Sequence, residues 1–137
     1  EHLMILSALY GPIPAFAPIQ AYRLDMTMSL FETNLYSFWK EIYSKRFKKE
    51  DLIIDLASLE FSKQVKEEKL TFDFLQPVKD GYKAIAYHSK QSRGLMANYL
   101  IENQITELED IKKFDALGYS FDEELSKPIH FVFKKND

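Results

Sequence analysis

Lys79-Asp80-Gly81 makes the chain reverse direction. Asp-Gly between two apolar-patterned runs is a strong hairpin signal, because few residue pairs tolerate the positive φ angles of such a tight turn. Before the turn, Lys69 to Val78 reads as a strand with Leu70, Phe72 and Phe74 on one face. After it, Tyr82 to Tyr87 alternates in the same way and reads as the partner strand. The pattern breaks at His88-Ser89-Lys90, and the spacing predicts a helix from about Ser92. Lys90 and Arg93 then stand where a strand passes into a helix N-terminus, which carries roughly half a positive charge and free N–H groups. Two cations at that end, with Gly94 allowing close approach, make a candidate anion site. The alternative is a solvated Lys and Arg at a frayed helix end.

The remaining chemistry is narrowed by what the chain lacks. It has 137 residues, 46% of them hydrophobic and 15% aromatic, which suits one domain with a true core. A net charge of -3 sets up no global basic field, so binding of a polyanion must rest on a local patch. With no cysteine there is neither a disulfide nor a thiolate metal site. His2, His88 and His130 show no metal-ligand spacing, so neither a metal nor another cofactor is predicted. No apolar run approaches the ~18 residues of a membrane span. The chain opens at Glu1 inside an apolar run, Leu3-Met4-Ile5-Leu6, which leads us to expect a piece of a longer protein.

Along the chain, Leu3 to Leu9 reads as a strand buried on both faces. Pro12, Pro14 and Pro18 make the following segment loop or extended backbone. Ala21 to Met28 alternates and reads as a strand with Arg23 and Asp25 on one face. These two either pair as a surface ion pair, or Arg23 grips a ligand anion while Asp25 holds it. Asn34 to Phe47 is the clearest helix: Asn34 caps it, Leu35, Phe38, Trp39, Ile42 and Tyr43 form its apolar stripe, and Trp39 is a packing residue. Lys45, Arg46, Lys48 and Lys49 close it, either as dipole-matched cations or as a phosphate-tracking patch.

Asp51 to Ala57 reads as a short strand, after which Ser58 can cap a short helix reaching about Val65. Strand-to-helix junctions often face ligands, so Ser58 and Glu60 are candidate polar contacts at a pocket mouth. No GxSxG surrounds Ser58, and it is not read as a nucleophile. Thr106 and Glu109 have the spacing of a capping box. Gly118 to Asp122 and Pro128 to Lys134 read as two closing strands, with His130 on the second face and without special chemistry. Asp122, Glu123 and Glu124 read as solvated acid. The predicted class is α+β: a mixed, mostly antiparallel sheet with several flanking helices.

Several blocks, taken together, resemble the YaaA family of bacterial peroxide-stress proteins. They are Leu6 to Gly11, Tyr22 to Met26, Phe38-Trp39, Asp55 to Phe61, Lys90 with Arg93-Gly94, Ile101 to Asn103, Gly118-Tyr119, Phe121 to Glu123 and Phe133-Lys134. Asp55 stands where the family usually has Asn, Phe61 where it has Tyr, and Lys90-Gln91-Ser92-Arg93-Gly94 where it has Lys-Lys-Ala-Arg-Gly. The resemblance is to the C-terminal half, which implies half of a larger single α/β fold. It also implies a cytoplasmic protein that limits intracellular iron and protects DNA from peroxide. DNA would bind in a basic cleft, with a helix-hairpin-helix element in the other half. On this reading Arg23, Lys90 and Arg93 line the cleft, and Asp25, Ser58 and Glu60 orient them or read a polar ligand edge. Two alternatives stay open: an enzyme acting on a nucleobase, nucleotide or small anionic ligand in a pocket of these same residues, or a scaffold half whose chemistry lies elsewhere.

Overall fold

A computed structural model of the chain describes residues 2–136. The backbone forms two compact units, residues 2–51 with 57–68 and residues 52–56 with 69–136. The structure is α+β, as expected.

The first unit begins with a hairpin. Strands β1 (Met4–Ser7) and β2 (Gly11–Pro14) pair antiparallel from Met4↔Pro14 to Ser7↔Gly11. The Ser7 hydroxyl holds the connecting turn, accepting the N–H groups of Leu9 at 3.2 Å and Tyr10 at 3.0 Å. The prolines leave the backbone extended and confine it to a two-stranded ribbon, where missing N–H donors are tolerated. The expectation of burial on both faces is not met, since Ile5 is 45% exposed. A two-stranded ribbon is covered on one side at most. A second small hairpin joins β3 (Ser29–Leu30) to β4 (Thr33–Asn34).

Helix α1 (Leu35–Arg46) follows, with the Asn34 side chain accepting the Ser37 N–H at 2.8 Å and Lys45 and Arg46 in its last turn. Both features were predicted. Leu35 and Tyr43 are buried, whereas Phe38 and Ile42 remain exposed. Burial pushes the Tyr43 phenol up to about 12, with a smaller contribution from Tyr22, so it stays neutral. Helix α2 (Leu59–Ser62) is a single turn. The unit's core is Ala8, Met26 and Leu35, packed by Leu24, Leu30, Tyr36, Trp39 and Phe61. Trp39 Nε1 donates to the Ala8 carbonyl at 2.8 Å. Gly11 has φ +73°, and a Cβ there would lie 2.8 Å from the Trp39 ring.

The second unit is built on β6 (Lys69–Val78). Strand β5 (Ile53–Ile54) and strand β9 (His130–Lys135) run parallel to it; β7 (Gly81–Ala84) and β8 (Tyr119–Phe121) add antiparallel pairs, β7 to β6 and β8 to β9. Leu75 pairs with Ala84 on one side and Lys134 on the other, so β7 shares an edge of β6 with β5. The β6–β9 register aligns Phe72 with Phe131 and Phe74 with Phe133 on one face. Against that face pack α3 (Ala86–Glu102) and α4 (Leu108–Ile111), through Met96 and Ile111, with Phe114 beside them. Stacked Phe74 and Phe133 rings, 5.6 Å apart, lie at the centre. The expected capping box is not formed: α4 starts one residue late for Thr106, and no side chain caps it. Its acids Glu109 and Asp110 instead pair with Lys112 and Lys113.

Asp122 is not the solvated acid expected. Its carboxylate meets Lys134 Nζ at 2.8 Å and accepts the Leu125 N–H at 2.9 Å. Lys134 first, then the Leu125 N–H, hold this carboxyl below its ordinary 3.8, and Asp122 in turn raises Lys134 above 10.5.

Gly11→Ala combines positive-φ strain with a clash against Trp39. It should destabilise the protein by about 2–4 kcal/mol in urea titrations followed by the single Trp. For the Asp122–Lys134 pair the signs are opposite. A depressed carboxyl stabilises fully above 3.8 and loses that contribution as pH falls through its folded value. A raised lysine stabilises fully below 10.5 and loses its contribution as pH rises through its folded value. Asp122→Asn keeps an acceptor for Leu125 but removes the charge. Its stability should therefore fall below wild type near neutrality and converge on it in acid, once the pH lies below the folded value of the Asp122 carboxyl. An unchanged gap at both pH values would show that the pair is not responsible.

Candidate functional site

Arg23, Asp25, Ser58 and Glu60 belong to the first unit, Lys90 and Arg93 to the second. Residues 21–28 form no strand, so Arg23 and Asp25 do not share a strand face. The alternation seen in the sequence arises because Leu24 and Met26 turn into the core while Arg23 and Thr27 are exposed and Asp25 is half-buried. Arg23 is exposed and makes no ion pair among the described residues. Asp25 is occupied locally. Its Oδ1 accepts the Thr27 hydroxyl and, at 3.0 Å, the Thr27 N–H. The Thr27 hydroxyl is the main cause of its lowered pKa. This is an Asx-type turn that shapes the backbone into Met26.

Ser58 holds the N-cap position of α2, half-buried, but its side chain makes no capping bond. Its carbonyl takes the Phe61 and Ser62 N–H groups at 3.0 and 2.8 Å. Glu60 works as a strut: Oε1 accepts the Met26 N–H at 3.1 Å, and its carbonyl accepts the Tyr36 hydroxyl at 2.7 Å. The structure thus brings Glu60 to the Asp25–Met26 backbone, and the Glu60 carboxylate serves that contact.

The predicted junction at Lys90 and Arg93 is displaced. Strand β7 ends at Ala84 and α3 begins at Ala86, so both cations lie inside the helix and not at its N-terminus. The reason is local: Ala86 is a strong helix former, and the buried face of α3 through Ser92 and Met96 continues back toward its first turns. Lys90 is exposed. Arg93 is half-buried and its Nε donates to the Ser89 carbonyl one turn earlier at 3.3 Å. Gly94 is exposed in mid-helix, and a Cβ there would meet nothing within 4 Å.

Two arrangements escaped sequence reasoning. His130 bridges β9 and β6, with Nδ1 2.7 Å from the Thr71 hydroxyl and Nε2 3.0 Å from Asp73. Only the strand register shows this, because Thr71 lies directly opposite His130. The second is a groove of about 340 Å³ in the first unit, between α1 and the segment after α2. Lys40, Lys63 and Lys66 rim it, Tyr36 forms one wall, and Lys63 Nζ lies 4.3 Å from the Tyr36 ring centroid. The spacing of Tyr36 and Lys40 on α1 hints at one face, but nothing in the sequence brings Lys63 and Lys66 alongside. Among the described residues there is no group of three or more His, Asp and Glu side chains that could hold a metal, and no helix long and apolar enough to cross a membrane.

Since Gly94 has open space where a side chain would go, Gly94→Ala should stabilise the protein by about 1 kcal/mol, read as a higher denaturant midpoint. A lower midpoint would mean that the α3 backbone needs glycine here.

The family model for peroxide stress protein YaaA matches residues 1–125. A UPF0246 protein of Fusobacterium nucleatum is 39% identical over 144 residues, covering 100% of this chain and 58% of its own length. UPF0246 proteins of Colwellia psychrerythraea (39% identical, 100% of this chain and 59% of theirs) and Psychromonas ingrahamii (40%, 99% and 58%) are similar to the same extent. The chain therefore spans somewhat more than half the length of these relatives. By the extent of the model match and by identity to these relatives, this chain belongs to the YaaA family of peroxide stress proteins.

Proposed function

We propose that this chain is the C-terminal half of a cytoplasmic peroxide-stress protein that protects DNA and contributes phosphate contacts to DNA binding. The family supplies the peroxide-stress role. The observation that carries the DNA part is a run of cations where α1 ends, outside the ion pairs of the second unit. The ion pairs Lys112–Glu109, Lys113–Asp110 and Lys134–Asp122 lie in the second unit, as does the His130–Asp73 contact. The cations of the first unit, Arg23, Lys40, Lys45, Arg46, Lys48, Lys49, Lys63 and Lys66, are in none of them. Lys45, Arg46, Lys48 and Lys49 form a dense run where α1 ends. Cations outside ion pairs, gathered on one segment, are available to a phosphate backbone, although the net charge of the chain is negative. Arg23 and Lys90, both exposed, join this reading as further phosphate contacts, while Arg93 holds the α3 backbone. Limitation of intracellular iron belongs to the same reading at the level of the whole protein. The exposed Leu3, Ile5 and Leu9 on the first hairpin support the view that this half packs against more chain.

Binding of a fluorescent DNA duplex to the full-length protein, across a salt series, tests this. Lys45→Ala/Lys48→Ala/Lys49→Ala should weaken binding and flatten the slope of log K against log salt by about 0.9 for each phosphate no longer neutralised. Binding with an unaltered slope in this variant, or no binding by the wild type, would overturn the DNA reading.

A further inference from the structure

We infer that the groove between α1 and residues 63–66 is a binding site for one nucleoside phosphate unit, taken either as a free mononucleotide or as an unpaired nucleotide of a single strand. This goes beyond phosphate-backbone contact, because it assigns a pocket with a place for the base.

Shape and rigidity come first. Ser37, Lys40 and Ser44 follow one another at spacings of three and four residues, so they share one face of α1 and all line the groove. The opposite wall is the segment carrying Lys63 and Lys66. That segment is tied to the helix. Buried Gln64 donates from Nε2 to the Tyr36 carbonyl at 3.1 Å, and the Tyr36 hydroxyl donates to the Glu60 carbonyl at 2.7 Å. A groove whose walls are hydrogen-bonded to each other does not have to be assembled by its ligand, which lowers the cost of binding. Its volume of about 340 Å³ lies at the small end of ligand sites, which run roughly 300–1,000 Å³. That suits one nucleotide unit.

Charge selects the ligand. Three ammonium groups surround the groove against one carboxylate, Glu67, and no ion pair engages any of the three lysines among the described residues. Like charges gathered around one concavity repel, and an anion placed between them relieves that repulsion. The lining between the charges is largely apolar, made by the methylene stems of the lysines and by the part of the Tyr36 ring not covered by the Lys63 ammonium, which lies 4.3 Å from its centroid. An inorganic anion would leave those walls uncovered. A base would cover them, as aromatic side chains and lysine stems do for unstacked bases elsewhere. Ser37 offers a hydroxyl to a sugar or phosphate, and Ser44, whose proton goes to the Glu41 carbonyl at 2.8 Å, can accept from a sugar hydroxyl.

Calorimetric titration of the full-length protein with dAMP, adenosine, inorganic phosphate and a twelve-residue oligo(dA) strand decides the matter. Lys40→Ala/Lys66→Ala removes two exposed charges without touching the core, and Lys40→Arg/Lys66→Arg keeps the charge. We expect dAMP or the oligonucleotide to bind the wild type, with affinity falling about tenfold in the alanine variant and returning to within about threefold in the arginine variant. Binding of dAMP identifies a free mononucleotide site; binding of the strand alone identifies an unpaired nucleotide. The proposal is overturned if neither binds at about 1 mM, if the alanine variant binds as well as wild type, or if inorganic phosphate binds as tightly as dAMP. Duplex binding that depends on Lys45, Lys48 and Lys49 but not on Lys40 and Lys66 would leave the DNA reading standing while this one fails.

Discussion

The first unit depends on the contact between Trp39 and Gly11. One indole does two jobs: its ring lies against a residue that has no side chain, and its N–H satisfies the Ala8 carbonyl in the hairpin turn. A proline-containing two-stranded ribbon cannot hold itself together in water, because it has few ladder bonds and no second face to bury. Docking against α1 removes that difficulty. With the ribbon in place, Ala8 reaches the core beside Met26 and Leu35, and the Glu60 strut fixes the loop that carries Met26. Arg23 and Asp25, which border that loop, are positioned as a consequence of packing and not by a strand.

The second unit has a different logic. Its core is mostly phenyl rings from β6, β8 and β9, packed in offset and edge-to-face geometry, and the helices cover that one face. The opposite face of the sheet carries polar cross-strand connections, Thr71–His130–Asp73 and Asp122–Lys134. Lys134 there is matched by Asp122, whereas the described cations of the first unit, around α1 and after α2, are in none of these pairs. Partial exposure makes each matched pair worth little in net stability. The pairs nevertheless withdraw those side chains from ligand binding. The distribution of cations outside ion pairs is therefore a better guide to where an anion would dock than the net charge, which is negative.

Short-range rules were legible where they acted alone. Asn34 capped its helix, the Lys79-Asp80 turn produced a two-residue hairpin loop, and Leu70, Phe72 and Phe74 faced the core together. The failures share a cause. Tyr82 to Tyr87 has strand alternation, yet β7 stops at Ala84, and a helix-forming run takes over with a buried face set by Met96 far downstream. Ala21 to Met28 also alternates, but among the described residues no strand pairs with it, so its apolar residues are buried from an irregular backbone. Alternation records which side chains turn inward; it does not supply a hydrogen-bonding neighbour.

The sequence by itself determined the α1 helix and its cap, the Lys79-Asp80 turn, the class, the family and the excess of basic residues around residues 40–49, because turn, cap and periodicity signals act between residues a few positions apart. Only the tertiary structure decided which cations are held in ion pairs and which are not, that Glu60 props the Met26 backbone, that His130 meets Thr71 and Asp73, and that Lys63 and Lys66 face Lys40 across a groove. Those facts depend on strand register and on packing between segments remote in sequence, where the energy of a contact is set by what else is buried beside it.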